Sequence, residues 1–238
     1  MSAVARFWRS TIGKKIVMAV TGLIGVGFVI GHMAGNLQVF LGPEKFNAYA
    51  RFLQGLGGLL WLMRAVLLGA VILHVVAAVQ LTRMRGQARP VAYRKGQKEV
   101  STWASRTIRW GGALLFFFIV FHILHFTTLD IFPDYSHTDA YGNVIKGFSK
   151  PWVVVLYVVA MLALGLHLFH GAWSSFRTLG ASPSSAEPLK RRIALLVAIV
   201  VWLGFTVVPL GVYFGFAPEP GATTHTVPAE TAVAPAGE

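Results

Sequence analysis

Histidines recur inside stretches of the chain that are otherwise apolar. Six of the eight histidines in the 238 residues lie in such stretches, namely His32, His74, His122, His125, His167 and His170. The stretch GLHLFHGAW carries His167 and His170 within a run that has no charged residue between Pro151 and Arg177. Imidazoles that face one another across a helical bundle can ligate a haem iron. That chemistry requires elements that bring these side chains together.

The composition predicts that those elements cross a membrane. Hydrophobic residues make up 55% of the chain and charged residues 13%, and the mean hydropathy is +0.62. A soluble domain carries about 25% charged residues. Five apolar runs have the length of about 20 residues that spans a hydrocarbon core, and they lie near 16–40, 59–82, 108–129, 152–176 and 193–216.

Each run is expected to be a helix, because a spanning segment must satisfy its own backbone hydrogen bonds and none of the runs alternates as a barrel strand does. The first run is also too long, and lacks the cleavage flank, for a simple secretory signal. The sequence therefore predicts an all-α integral membrane protein with transmembrane helices I to V in one domain, 1–216. The segment 217–238, rich in Pro, Ala and Thr, is predicted to be a disordered C-terminal tail.

The basic residues predict the orientation. Sixteen of the 21 Lys and Arg residues fall at the N-terminus, after helix II or after helix IV, whereas seven of the nine acids fall on the other side. By the positive-inside rule the N-terminus is cytoplasmic and the C-terminus is outside. The net charge of +12 is thus a topology signal and a surface for anionic lipid or a partner protein, and nucleic-acid binding is not predicted.

The absence of cysteine limits the redox chemistry. With no Cys in the sequence, the chain can hold neither an iron–sulfur cluster of the thiolate type nor a covalently attached c-type haem. A redox cofactor would have to be bound noncovalently, and any cluster would lie in another subunit.

Helices I to IV each carry at least one deep histidine, and helix V carries none. Ionisable residues inside membrane helices are costly, so they are functional candidates by default. Four helices with inward imidazoles, two to each iron, would hold two b haems. A single histidine in a membrane helix is more often an interhelical hydrogen-bonding residue, and it is the repetition in four helices that favours ligation.

The depths of the histidines predict an outer pair. His32 lies 17 residues past Lys15 on helix I and His122 lies 13 residues past Arg109 on helix III. Both helices run outward, so at about 1.5 Å per residue these side chains are roughly 20 to 25 Å from the cytoplasmic edge. We expect one haem between His32 and His122, although depth leaves helix III open, because His125 lies 16 residues past Arg109.

The other two helices predict an inner pair. His74 lies 9 residues before Arg83, and His167 lies 10 residues before Arg177. Both helices run inward, which places these side chains roughly 14 to 15 Å from the cytoplasmic edge. We expect the second haem between His74 and His167, nearer the cytoplasm.

Several motifs carry a family resemblance, which covers about residues 10 to 216. They are His32-Met-Ala-Gly-Asn36, Phe46-Asn47, His74, Phe121-His122, His167, Gly171-Ala-Trp173-Ser174 and Thr178-Leu-Gly180. In order and spacing the sequence resembles the cytochrome b subunit of the succinate dehydrogenase and fumarate reductase family, in its b558-type dihaem form.

The resemblance implies a membrane anchor in a bacterial-type cytoplasmic membrane. Such subunits bind a flavoprotein subunit and an iron–sulfur subunit on the cytoplasmic face, and they carry electrons between that pair and a quinone, typically menaquinone in the dihaem form. Dicarboxylate chemistry would then belong to the partners. The alternative is a dihaem cytochrome b of another respiratory complex, such as formate dehydrogenase or hydrogenase; a haem-free membrane anchor is a third reading.

The resemblance also implies the haem ligands. The axial positions of the family fall on His32, His74, His122 and His167, so the motif favours His122 over His125. His125 and His170 are then candidates for orienting a ligand, for pairing with a haem carboxylate or for contacting quinone, with plain polar packing an equal alternative. Candidate partners for the haem carboxylates are Arg64, Arg83, Arg109 and Arg177, and for each of them binding to lipid phosphate as a mark of the topology is an equal alternative.

Overall fold

The structure is a computed structural model that describes residues 2–88, 103–180 and 187–218. These residues form α-helices joined by turns and loops, and the described ranges contain no β-strand. The helices are α1 (Ala3–Arg9), α2 (Thr11–Leu37), α3 (Pro43–Gly55), α4 (Gly58–Ala88), α5 (Trp103–Phe126), α6 (Ala140–Phe148), α7 (Pro151–Thr178) and α8 (Glu187–Tyr213), with a 3₁₀ turn at Gln38–Leu41.

The prediction of five membrane-spanning helices is confirmed. By length and apolarity the five helices able to cross a membrane are α2 with its 3₁₀ turn, α4, α5, α7 and α8. They correspond in order to helices I to V, and the all-α class is also confirmed. The orientation of the termini stays a prediction.

Some helix boundaries differ from the apolar runs. Helix α8 begins at Glu187, before the predicted start at 193, because its first turns, which are rich in charged residues, extend the helix beyond the apolar run. Helix α5 ends at Phe126 rather than at 129. Beyond it Leu129 has a φ of 65°, a left-handed conformation that cannot continue a right-handed helix.

Three short helices were not predicted, because they lie outside the apolar runs. Helix α3 begins at a proline in its first turn after Gly42, whose φ of 92° suits glycine. Helix α6 begins at Ala140 and is capped by Asp139, whose carboxylate accepts a hydrogen bond from the Gly142 amide at 2.9 Å. These two helices pack against each other at what we call the capped end of the bundle. The opposite end, where α1 lies and α8 begins, is the basic end.

Helices α2, α7 and α8 each pack against the other two. Helix α4 packs against α2, and helix α5 packs against α7. Among the described residues, α4 has little or no direct backbone contact with α7, and the same holds for α2 with α5. The bundle therefore leaves room between those two pairs of helices.

The larger hydrophobic core lies at the capped end. Its buried residues include Val39, Tyr141, Phe148, Val153 and Tyr157, which come from the 3₁₀ turn, α6 and α7. The first two residues of the predicted tail contribute as well, since Ala217 is buried in this core and the Pro218 carbonyl accepts a hydrogen bond from the Tyr141 hydroxyl. The rest of the predicted tail, 219–238, lies outside the described residues.

The cap depends on a network centred on Asn47 and Asp139. The Asn47 amide nitrogen donates to the Asp139 carboxylate at 2.9 Å, and its oxygen accepts from the Tyr141 amide at 2.9 Å. These bonds join α3 to the start of α6. They also hold the pKa of Asp139 below its usual value, chiefly through the Gly142 amide and then through Asn47.

Replacing Asp139 with Ala is expected to lower the free energy of unfolding by about 1 kcal/mol, the usual cost of losing a helix N-cap. Thermal unfolding in detergent measures it, with His137→Ala, an exposed neighbour, as the matched control. Because the folded pKa is depressed, the stabilisation is present above the usual aspartate pKa and is lost as the pH falls through the folded value. Solvent screening keeps this pH effect small. Equal stability of the two variants would show that the N-cap contributes nothing.

Candidate functional site

His74 and His167 face each other between α4 and α7. Their ring centroids are 6.0 Å apart, with 57° between the ring planes. We call them the inner pair, because they are the two histidines predicted nearer the cytoplasm.

The ring of His74 is oriented by α2. Its Nδ1 lies 3.1 Å from the Met18 carbonyl oxygen and 3.2 Å from the Thr21 hydroxyl oxygen. The Thr21 hydroxyl proton is donated to the Val17 carbonyl at 2.7 Å, so both neighbours of Nδ1 act as acceptors. Nδ1 therefore carries the proton of the neutral ring, and Nε2 presents a lone pair.

His167 has a polar atom that the protein leaves unpaired. Its Nδ1 is buried without a hydrogen-bond partner among the described residues, and so is Nδ1 of His170. An unpaired buried nitrogen costs free energy, which is the condition expected of side chains that complete their environment with a bound group. His170 also lies 3.4 Å from the Ser174 hydroxyl through Nε2, one turn nearer the basic end.

His32 and His122 face each other between α2 and α5, and we call them the outer pair. Their ring centroids are 5.7 Å apart and the ring planes are at 79°. Phe28 stacks on His32 and Phe118 stacks on His122, with centroid separations of 5.2 and 5.8 Å. These contacts fix the two imidazoles on the helix faces that approach each other.

A hydrogen-bonded series of three further side chains supports His122. Its Nδ1 lies 3.0 Å from the Tyr157 hydroxyl, which is 2.9 Å from Nδ1 of His125. Nε2 of His125 in turn lies 2.8 Å from the Tyr135 hydroxyl. His125 is fully buried, and both of its nitrogens are engaged.

The same hydrogen bonds distinguish His122 from His125 as the candidate iron ligand on helix III. His122 has no hydrogen bond to Nε2 within the described part of the chain, whereas His125 has partners on both nitrogens. Burial and the nearby Asp134 carboxylate raise the pKa of Tyr135, so its hydroxyl remains protonated. This arrangement suits His122 for ligation and His125 for hydrogen bonding.

The two pairs fit a metal held by two imidazoles. With metal–nitrogen bonds of about 2.0 Å and ring nitrogens about 1 Å from the centroid, two imidazoles on one metal have centroids about 6 Å apart. The observed separations are 5.7 and 6.0 Å. In the described part of the chain no three His, Cys, Asp or Glu side chains converge as metal ligands, and haem iron takes only two from the protein.

Small residues border the inner pair. A Cβ at Gly22 would lie 3.4 Å from Cε1 of His74, and one at Gly112 would lie 3.8 Å from Cε1 of His167. A cleft beside His167 is lined by Gly111, Leu114, Val159 and Ala163, among other apolar residues. A flat apolar macrocycle requires such surroundings.

The arginines predicted to pair with haem carboxylates differ in their surroundings. Arg177 is engaged by Glu187, with Nε 3.3 Å from Oε1, and it lies over the Trp173 ring. Trp173 itself donates to the other oxygen of Glu187 at 2.8 Å. Arg64 lies over the Trp61 ring near the first residues of α4. The Glu187 carboxylate already occupies Arg177, so Arg177 is poorly suited to bind a further anion.

Sequence reasoning missed the groups that hold the histidines. Tyr157 and Thr21 are polar residues within apolar spans, and that signal could have marked them. The Met18 carbonyl carries no signal at all, because any residue provides one.

Comparison with known proteins shows the family of the chain. Residues 85–208 match the family model described as succinate dehydrogenase/fumarate reductase transmembrane subunit. The chain belongs to this family. The succinate dehydrogenase/fumarate reductase match includes His122 and His167 and begins after His32 and His74.

One curated relative of this transmembrane subunit extends over most of the chain. It is the succinate dehydrogenase cytochrome b558 subunit of Bacillus subtilis (strain 168), 24% identical over 197 residues, which are 82% of this chain and 92% of the relative. No solved structure matches the chain.

Replacing Tyr157 with Phe is expected to destabilise this transmembrane subunit by about 1 to 2 kcal/mol, because it leaves a buried nitrogen of His125 without its partner. Thermal unfolding in detergent is the measurement. Tyr213→Phe removes a hydroxyl from an exposed residue and is the control. If both variants unfold at the wild-type temperature, the hydrogen bonds of Tyr157 do not contribute to stability.

Proposed function

We propose that this chain is the cytochrome b anchor of a succinate:quinone oxidoreductase, with two b haems held by the inner and outer histidine pairs. Electrons would pass between an iron–sulfur subunit and a membrane quinone. The family resemblance favours menaquinone as this quinone. The observation that carries the proposal is the pairing itself, in which four histidines from four helices meet two by two at centroid separations of 5.7 and 6.0 Å. The printed name of the Bacillus subtilis relative, a cytochrome b558 subunit, supports it.

In the inner pair, His74 and His167 would hold the haem iron. The Met18 carbonyl and the Thr21 hydroxyl keep the proton of His74 on Nδ1, so Nε2 would be the nitrogen available to the iron. A hydrogen bond from the far nitrogen to a carbonyl fixes the tautomer and increases the basicity of the ligand.

In the outer pair, His32 and His122 would hold the haem iron. Tyr157 orients His122 in the way that Met18 and Thr21 orient His74. His125 supports Tyr157 and is not itself a ligand in this proposal. The cap of α3 and α6 covers this end of the bundle with the buried residues of the larger core.

The positions of the pairs fit an electron path across the membrane. Thr21 touches the inner pair and His32 belongs to the outer pair, so the pairs are about 16 Å apart along α2 at 1.5 Å per residue. Haem b supplies reversible one-electron transfer when bound. The polypeptide holds the groups at these two depths and surrounds them with apolar side chains.

The partners follow from the family to which the chain belongs. Without cysteine the chain would need an iron–sulfur subunit to supply the clusters that link a flavin to haem, and a flavoprotein subunit would hold the flavin. They would dock at the basic end, which the charge distribution predicts to be cytoplasmic. The dicarboxylate reaction would take place in the flavoprotein, and the quinone reaction in the membrane.

The function is tested by purifying the chain with whatever co-purifies and adding succinate. The pyridine haemochrome assay is expected to give two b haems per chain, and succinate is expected to reduce at least one of them. Two haems that do not respond to succinate would assign the bundle to another respiratory complex. A chain without haem would leave only a membrane anchor.

The ligand assignment predicts which variants lose which haem. Alanine at either member of a pair is expected to remove one haem per chain and to leave the other, because each iron loses one of its two protein ligands. The sharpest comparison is His167→Ala against His170→Ala, one turn apart on α7, with loss expected only for the first. On α5 the comparison is His122→Ala against His125→Ala. Haem loss from the second member of either comparison instead of the first would exchange the assignment.

A further inference from the structure

Lys14 is buried in a place where a lysine needs a counter-charge. It lies at the end of the first turn of α2 and is 5% exposed, whereas its neighbour Lys15 is exposed. Its ammonium donates to the Trp8 carbonyl and lies 5.5 Å from the centroid of the Trp8 ring. Among the described residues no carboxylate pairs with it.

The position of Lys14 on α2 relates it to both histidine pairs. Thr21 and His32 follow Lys14 by 7 and 18 residues, which at 3.6 residues per turn places all three within about 20° on one face of the helix. Thr21 contacts His74, and His32 contacts His122. Lys14 therefore shares the face that α2 presents to the histidines, at its basic end.

Charge makes this arrangement informative. A buried ammonium is costly unless an anion compensates it, and a neutral carbonyl compensates it only in part. Arg177, one of the arginines selected from the sequence as a partner for a haem carboxylate, is already engaged by Glu187. Lys14 lies about 10 Å from Thr21 along the helix axis, a distance that the lysine side chain and a carboxylate arm can bridge together.

We propose that Lys14 binds a carboxylate of the haem held by the inner pair, and so fixes that haem from the basic end of the bundle. This inference rests on the proposed function. It adds a cationic residue that the sequence did not single out, since in the sequence Lys14 is one of four basic residues near the N-terminus. The ammonium would stabilise the electron-richer, reduced state of this haem more than its oxidised state.

The test uses the complex as purified and three variants. Lys14→Gln removes the charge but keeps an amide donor for the Trp8 carbonyl, so it separates anion binding from simple capping of α1. Lys14→Arg keeps the charge, and Lys15→Gln removes an exposed charge one residue away. The readouts are haem per chain and a redox titration of both haems, with the inner haem assigned as the one lost in His74→Ala.

Lys14→Gln is expected to lower the reduced-to-oxidised ratio of the inner haem on the order of tenfold at fixed ambient potential. The outer haem, Lys15→Gln and Lys14→Arg are expected to stay close to wild type. An unchanged inner haem in Lys14→Gln would overturn the inference while leaving the proposed function intact. A wild-type chain without haem would overturn both.

A second measurement covers the case in which Lys14→Gln does not accumulate. Haem labelled with ¹³C at its carboxylates is observed by infrared spectroscopy in the wild type and in Lys14→Arg. An ammonium and a guanidinium bind a carboxylate differently, so the carboxylate band is expected to shift between the two proteins. Identical bands would overturn the inference.

Discussion

An imidazole inside a hydrocarbon core needs a partner for each of its nitrogens, and much of this bundle is arranged around that requirement. His125 has a tyrosine hydroxyl on each nitrogen, whereas His74 has a backbone carbonyl and a threonine hydroxyl that both contact Nδ1. Among the described residues, a buried nitrogen of His167 has no hydrogen-bond partner. The histidines thus divide into one whose hydrogen bonds the protein completes and others that retain a free nitrogen, and this division is more informative than their number.

Helix α2 links the two sites. It packs against three of the other four spanning helices, and one of its faces carries Lys14, Thr21 and His32. Glycine at position 22 lets α4 approach with His74. Because one helix face contacts both histidine pairs, the relative depth of the pairs is fixed by helix geometry rather than by loops.

The two ends of the bundle serve different purposes. At the capped end, α3 and α6 close the bundle over a core of aromatic and branched side chains, joined by the Asn47 and Asp139 network. At the basic end, aromatic and charged residues of α7 and α8 pair with one another, as Trp173, Arg177 and Glu187 do. The first end excludes water, and the second presents charge where a soluble partner or lipid headgroups would lie.

The sequence alone determined the number and order of the spanning helices, because about 20 apolar residues bounded by charge have only one stable form in a bilayer. It also selected the six deep histidines, and depth counted along helices predicted which helices would pair. It could not find α3 or α6, whose amphipathic sequences lie outside the apolar runs.

Only the tertiary structure decided which nitrogens are engaged, because that depends on contacts between residues far apart in sequence, such as Tyr157 with His122 and His125, or Met18 with His74. Depth left His122 and His125 nearly equivalent, and a hydroxyl supplied by another helix distinguishes them. Lys14 differs from Lys15 for the same reason, since the packing of α1 and not the residue type buries the one and exposes the other.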